Sequence, residues 1–180
     1  MEFLGGIILL VILVIIIMWI VISNKLNVLQ VKIDETDSGI DVALTKRYDI
    51  LSKMVEVVKG YAKHEKETLF EVIKLRKGMP LEEKNIVKEK MNKNIEKINI
   101  VAESYPELKS NENFKILQQS IVEVEEHLQA ARRLYNSNVS VFNQMIVTFP
   151  ASIVANSKSL KSKHFFEVEE LKKNDVKIDL

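Results

Sequence analysis

Apolar residues recur at alternating steps of three and four between Asn111 and Pro150, through Phe114, Leu117, Ile121, Val124, Leu128, Ala131, Tyr135, Phe142, Met145 and Phe149, with Asn138 as the one polar member. That spacing predicts a single long helix with a heptad seam, about 60 Å from end to end at the α-helical rise. Such a helix suits the central rod of a bundle, so other helices must cover its seam. A first long helix is predicted upstream, where Leu26, Leu29, Ile33, Ile40, Ala43, Leu51, Met54, Val58, Ala62, Leu69 and Val72 keep the same rhythm. Gly39 follows Ser38 and precedes Asp41 in a pattern resembling a helix start, so a break is expected there. Gly60 is expected to mark a close helix crossing.

The run Arg76-Lys77-Gly78-Met79-Pro80-Leu81-Glu82-Glu83 reads as an exit and an entry: cations in a last turn, glycine after it, proline and acids in a first turn. It predicts a short turn between antiparallel neighbours. A second helix then carries Val87, Met91, Ile95, Ile98 and Ala102 inward, and Tyr105-Pro106 ends it, because a residue before proline resists helical dihedrals. Ser110 or Asn111 is placed to cap the third helix. Beyond Pro150, Ile153, Val154, Leu160, Phe165, Phe166 and Val168 predict a last, shorter helix returning across the bundle, followed by a frayed tail.

Ahead of all this, Phe3 to Ile22 contains no charged residue. Twenty residues of helix match the roughly 30 Å bilayer core, and Trp19 sits where an interfacial aromatic belongs. A cleavable signal peptide would carry a basic n-region, a shorter apolar core and a small-residue cleavage site. Here only Glu2 precedes the apolar run. Lys25 and Lys32 follow it and no Lys or Arg precedes it, which by the positive-inside rule puts the bundle on the cytoplasmic side of a cell membrane.

The predicted fold is therefore all-α: an N-terminal transmembrane helix followed by an elongated antiparallel bundle of long helices, three long plus one shorter. Its organisation is an anchor over 1–24, a bundle domain over 25–170 and a flexible tail over 171–180. Five glycines and three prolines in 180 residues agree with helices rather than a many-turned sheet protein. The balance of 26 Lys and Arg against 25 Asp and Glu gives no electrostatic footprint for nucleic acid. With no cysteine, disulfides, thiol catalysis and thiolate metal sites are excluded.

Candidate chemistry is sparse. His64-Glu65 begins like a zinc-protease motif, but the fifth position is Thr68 rather than histidine. Glu123 and His127 are spaced four apart, not three, and have no counterpart on a second helix as a di-metal carboxylate bundle requires. No catalytic, cofactor or metal site is assigned. A polar set on the long helices, Arg47, Glu65, Glu103, Glu125, Arg132, Arg133, Asn136, Asn138 and Asn143, is expected to form a satisfied network that fixes helix register, as a seam asparagine does in coiled coils. Lys84, Lys88, Lys90, Lys93 and Lys97, interleaved with Glu82, Glu83, Glu89 and Glu96, read as a solvated face. The first helix is about twice the length of the second, so Leu26, Leu29, Ile33 and Ile40 are expected to lack full intramolecular cover and to serve as a partner interface.

Several stretches resemble the LemA family of membrane-anchored helical proteins. They run in order through Ile40 to Asp49, Val58 to Glu65, Ala102 to Leu108, Ala131 to Asn136, Phe142-Asn143, Phe149-Pro150 and Phe165 to Glu167. The chain departs from the family pattern at Ser159-Leu160, where a Gly-Phe pair is expected, and at Ser52, where proline is common. The resemblance implies a single-span protein with a bundle outside the bilayer and no established enzymatic activity. Relatives encoded near membrane proteases and other membrane proteins suggest a partner-binding role. The reading is thus a non-enzymatic scaffold held in the bilayer through Phe3 to Ile22, with a membrane protein or a second copy of itself as partner. The competing reading is a hydrolase or small-ligand binder using a polar cleft around Glu65 and Arg133.

Overall fold

The computed structural model describes residues 2–61, 73, 75 and 78–166. Among these the chain is helical without strands: α1 (Glu2–Tyr61), α2 (Leu81–Ser104), α3 (Pro106–Ser110), α4 (Glu112–Val147) and α5 (Ala151–Ser157). The chain divides into two compact units. The first combines Met1–Asp37 with Arg133–Phe165, and the second combines Ser38–Arg132 with Phe166–Leu180.

Helix α1 runs unbroken through Gly39, contrary to the expected break. A glycine costs a helix interior about 1 kcal/mol, and Ile40 and Leu44, both fully buried just beyond it, offset that cost. Among the described residues Gly60 marks no crossing either, for a Cβ built there or at Gly39 meets nothing within 4 Å. The expected continuation through Ala62, Leu69 and Val72 lies outside the described residues, as does the tail at 171–180.

In the first unit, α4 packs antiparallel to α1. Asn138 donates to the Lys32 carbonyl at 3.3 Å, and further along α4, past its turn into α5, Lys158 Nζ reaches Asn27 Oδ1 at 2.9 Å. Leu26, Ile33, Val139, Phe142, Val154 and Ala155 are among the buried apolar residues of this unit. The predicted heptad seam holds at Phe114, Ile121, Val124, Leu128, Tyr135 and Phe142, but after Tyr135 its other members, Asn138 and Met145, give way to the positions one residue on. Val139 and Ile146 are buried, while Phe149 is 81 % exposed. An α-helix without supercoil drifts about 20° per heptad, so a strict seven-residue extrapolation leaves the buried face after several repeats.

In the second unit, Tyr61 meets Asn111 and Arg47 meets Glu125, so α4 is antiparallel to α1 there too. Helix α2 behaves differently. Asp41 pairs with Lys84 and Arg47 with Asn92, residue numbers rising together, which makes α2 parallel to α1 and antiparallel to α4. An antiparallel pairing of α2 with α1 is therefore corrected: α2 starts beside Asp41, about 30 Å back along α1 from Tyr61, while the segment that enters the turn at Gly78 lies largely outside the described residues. The local signals themselves hold, since Gly78 takes a positive φ of 73° and α2 starts just after Pro80.

Caps define the remaining boundaries. Asn111 Oδ1 accepts the Phe114 amide at 3.0 Å, satisfying a first-turn donor of α4. Tyr105 leaves helical geometry before Pro106, as expected, and Pro106 then starts the short α3, whose Leu108 is fully buried. The last helix is shorter than the apolar pattern suggests. It ends at Ser157, Ser159 adopts a left-handed φ of 53°, and the Leu160 amide reaches back to the Ala155 carbonyl at 3.0 Å. This is the geometry a glycine usually provides at a helix C-terminus. From Leu160 to Phe166 the chain has no regular structure.

Candidate functional site

Two surfaces and one interior layer bear on function. The first surface is the start of α1. Every residue from Phe3 to Val21 is exposed, including Leu9 at 68 % and Ile16 at 50 %, and the segment's mean hydropathy reaches 3.3. Among the described residues no packing covers it. It is long and apolar enough to span a membrane, and surface of that character is stable only in an apolar solvent or against an apolar partner.

Immediately after it the four interface candidates have a different fate. Leu26 is fully buried, Leu29 is 8 % exposed, Ile33 2 % and Ile40 fully buried. The expectation that they lack intramolecular cover is corrected: the first three belong to the core that α4 and α5 complete in the first unit, and Ile40 is core in the second. Length mismatch between α1 and α2 misled here, because α4 and α5 supply the cover that α2 does not.

The polar set is distributed across both units. In the first unit, Asn143 clamps the irregular segment after α5, its Nδ2 donating to the Lys163 carbonyl at 2.9 Å while its Oδ1 accepts the Lys163 amide at 2.8 Å. The Tyr135 hydroxyl donates to the neighbouring His164 carbonyl at 3.2 Å. Asn138 joins α4 to α1 through the Lys32 carbonyl, beside the buried Thr36. Asn136 is half-buried and Arg133 exposed.

In the second unit, Arg47 is the centre. Its side chain is 4 % exposed, its Nη2 lies 2.9 Å from Glu125 Oε2, and the same atom donates to Asn92 Oδ1 at 2.7 Å. One guanidinium thus joins α1, α2 and α4, which the fixed fork of arginine makes geometrically possible. Arg132 places its guanidinium 4.8 Å over the ring of the buried Phe166, a cation–π contact that holds the irregular segment to α4. Glu103 is exposed, and Glu65 lies outside the described residues, so the pairing of Glu65 with Arg133 is not described.

Residues outside the expected set complete this layer. Lys84 is fully buried with its ammonium 2.7 Å from Asp41, and Lys88 and Asn94 are buried beside it on α2. The solvated-face reading of the lysine run is corrected at these two positions. Lys84, Val87, Met91, Asn94 and Ile98 follow one another at three- and four-residue steps, with Lys88 four residues after Lys84 on the same face, so helical period alone, applied without regard to polarity, identifies the inward stripe. Ile86, by contrast, is 52 % exposed.

Above Arg47 a cleft of about 650 Å³ opens between α2 and α4, lined by Asn92, Glu96, Ile100, Glu103, Val122 and Glu126 among others. Ile100 and Val122 are each 59 % exposed. Its chemistry is apolar contact flanked by carboxylates. Among the described residues no three His, Asp or Glu side chains converge as metal ligands.

"Protein LemA" from Metamycoplasma hominis (strain ATCC 23114 / DSM 25592 / NBRC 14850 / NCTC 10111 / PG21) is 29 % identical over 163 residues, covering 86 % of this chain and 73 % of that protein. The LemA family pattern itself matches residues 36–180, from the last turn before Gly39 onward, and on that match the chain belongs to the LemA family.

Proposed function

We propose that this chain is a single-pass, membrane-anchored module that receives a segment of another protein and carries out no chemistry of its own. The observation that carries the reading is the continuity of α1: the bare, charge-free segment runs without a break into residues that are core to the folded units. An anchor so joined holds the first unit at the bilayer rather than on a loose tether.

The polar groups favour packing over catalysis, because Arg47, Glu125, Asn92, Asn138 and Asn143 are all engaged with helices or backbone of their own unit. With Leu26, Leu29, Ile33 and Ile40 buried, the receiving surface is the cleft between α2 and α4. Exposed Ile100 and Val122 between Glu96, Glu103 and Glu126 suit an amphipathic partner helix with a basic flank. Lys25 and Lys32, immediately after the span, favour a cytoplasmic module.

A photo-cross-linking residue in place of Ile100 or Val122, in the full-length protein in its own membrane, tests the reading. A discrete adduct that Glu103→Lys with Glu126→Lys abolishes is the expected result. Absence of an adduct at both positions, or an adduct indifferent to the charge reversals, contradicts it.

A further inference from the structure

Within the first unit, position along α4 can be converted to position along α1. Asn138 lies opposite Lys32 and Thr36. Moving about 16 Å along each helix in opposite directions brings the turn after α4 level with the end of the charge-free segment. An independent observation agrees: Phe3 to Val21 are all exposed, and Ile22 and Ser23 are the first residues to be partly covered. At that turn stand three large apolar side chains in seven residues, Val147 at 69 %, Phe149 at 81 % and Ile153 at 55 % exposure. Exposed apolar residues scattered singly are ordinary, but a cluster needs an occupant.

Charge points to the same occupant. No Asp or Glu occurs between His127 and Phe166, although the chain has 25 of them. The same stretch carries Lys158, Lys161 and Lys163, and Lys158 reaches Asn27, five residues past the apolar segment. The acids of this unit's α1 segment beyond the span, Asp34, Glu35 and Asp37, lie on the far side of Asn27 from the span. Apolar side chains beside lysines, at the level where a span leaves the hydrocarbon, are the composition of an interfacial membrane contact.

We infer that the α4–α5 turn is a second membrane contact, with Val147, Phe149 and Ile153 entering the headgroup region of the leaflet that α1 leaves and Lys25 and Lys158 facing lipid phosphates. The inference rests on the anchoring proposed above. It makes the first unit a foot seated on the bilayer.

The cysteine-free sequence allows a direct test. Single substitutions Leu13→Cys, Leu134→Cys, Phe149→Cys and Ile153→Cys carry an environment-sensitive fluorophore in the full-length protein, reconstituted in phosphatidylcholine–phosphatidylglycerol vesicles with a nitroxide at mid-bilayer depth to report on position 13 and at shallow depth to report on the others. The expected result is blue-shifted, quenched emission at positions 13, 149 and 153 and water-like emission at 134, with Phe149→Asp abolishing quenching at 153 but not at 13. Quenching at 13 with water-like emission at 149 and 153 overturns the second contact and leaves the anchor standing. Blue-shifted emission at 149 that the nitroxide does not quench also overturns it, since protein then covers the turn. Water-like emission at 13 overturns both.

Discussion

Replacing Glu125 with leucine tests the interior layer where it is most constrained. Arg47 is 4 % exposed and Glu125 27 %, with 2.9 Å between them. Breaking a fully buried pair by removing one partner costs about 3–5 kcal/mol, because the remaining charge keeps its desolvation penalty without its counter-charge. Glu125 retains contact with water, so the low end applies, about 3 kcal/mol. Replacing both residues, Arg47→Met with Glu125→Leu, removes the penalty with the charge and is expected to cost less than Glu125→Leu alone. The coupling energy should then be about 2 kcal/mol, in the range measured for residues in contact. In a chain of this size each kcal/mol moves Tm by about 2–4 °C, so Glu125→Leu should lower Tm by about 6–12 °C. The double variant should recover much of that. Thermal and urea unfolding of the four proteins in the same detergent, followed by circular dichroism, gives the cycle. Single effects that add to within about 0.5 kcal/mol refute the claim that this pair couples α1 to α4.

Other substitutions separate helix boundaries from packing. Asn111→Ala should cost about 1 kcal/mol through loss of the α4 cap, and Asn111→Asp should restore most of it in the same unfolding assay. Asn143→Leu removes both bonds to Lys163, at about 1 kcal/mol each, and should appear first as faster amide exchange at Lys163. Ser159→Gly should raise stability by about 1 kcal/mol, because the left-handed φ of 53° suits glycine. Gly39→Ala should also stabilise by about 1 kcal/mol, since the site is an open helix interior, whereas Gly78→Ala at φ 73° should destabilise.

Much of this architecture is legible in the amino-acid pattern, and what is not has a physical reason. The α4 seam as far as Tyr135, its asparagine cap, the stop at Tyr105-Pro106 and the start after Pro80 are local signals with local causes, and each appears where the pattern places it. Neighbour relations are not local. The exit and entry signals around Gly78 say where a helix starts but not beside what, and only the Asp41–Lys84 and Arg47–Asn92 contacts reveal that α2 runs parallel to α1. Polarity likewise hid Lys84 and Lys88, whose burial depends on partners outside their own helix, such as Asp41 for Lys84. The stripe through Leu26 and Ile33 was readable as apolar, yet whether it faces a partner or its own fold depends on how far α4 reaches. The Ser159 departure from the family pattern coincides with a backbone position that glycine favours, which links a sequence irregularity to a helix end.

The central claim is that Phe3 to Ile22 crosses a bilayer and delivers the helical units to its cytoplasmic face. Single cysteines at positions 13 and 100, probed with a membrane-impermeant maleimide in intact, permeabilised and detergent-solubilised cells, test it most directly. Position 13 should react only after detergent, and position 100 should react once cells are permeabilised. Reaction at position 13 in permeabilised cells without detergent contradicts the anchor, and reaction at position 100 in intact cells contradicts the side.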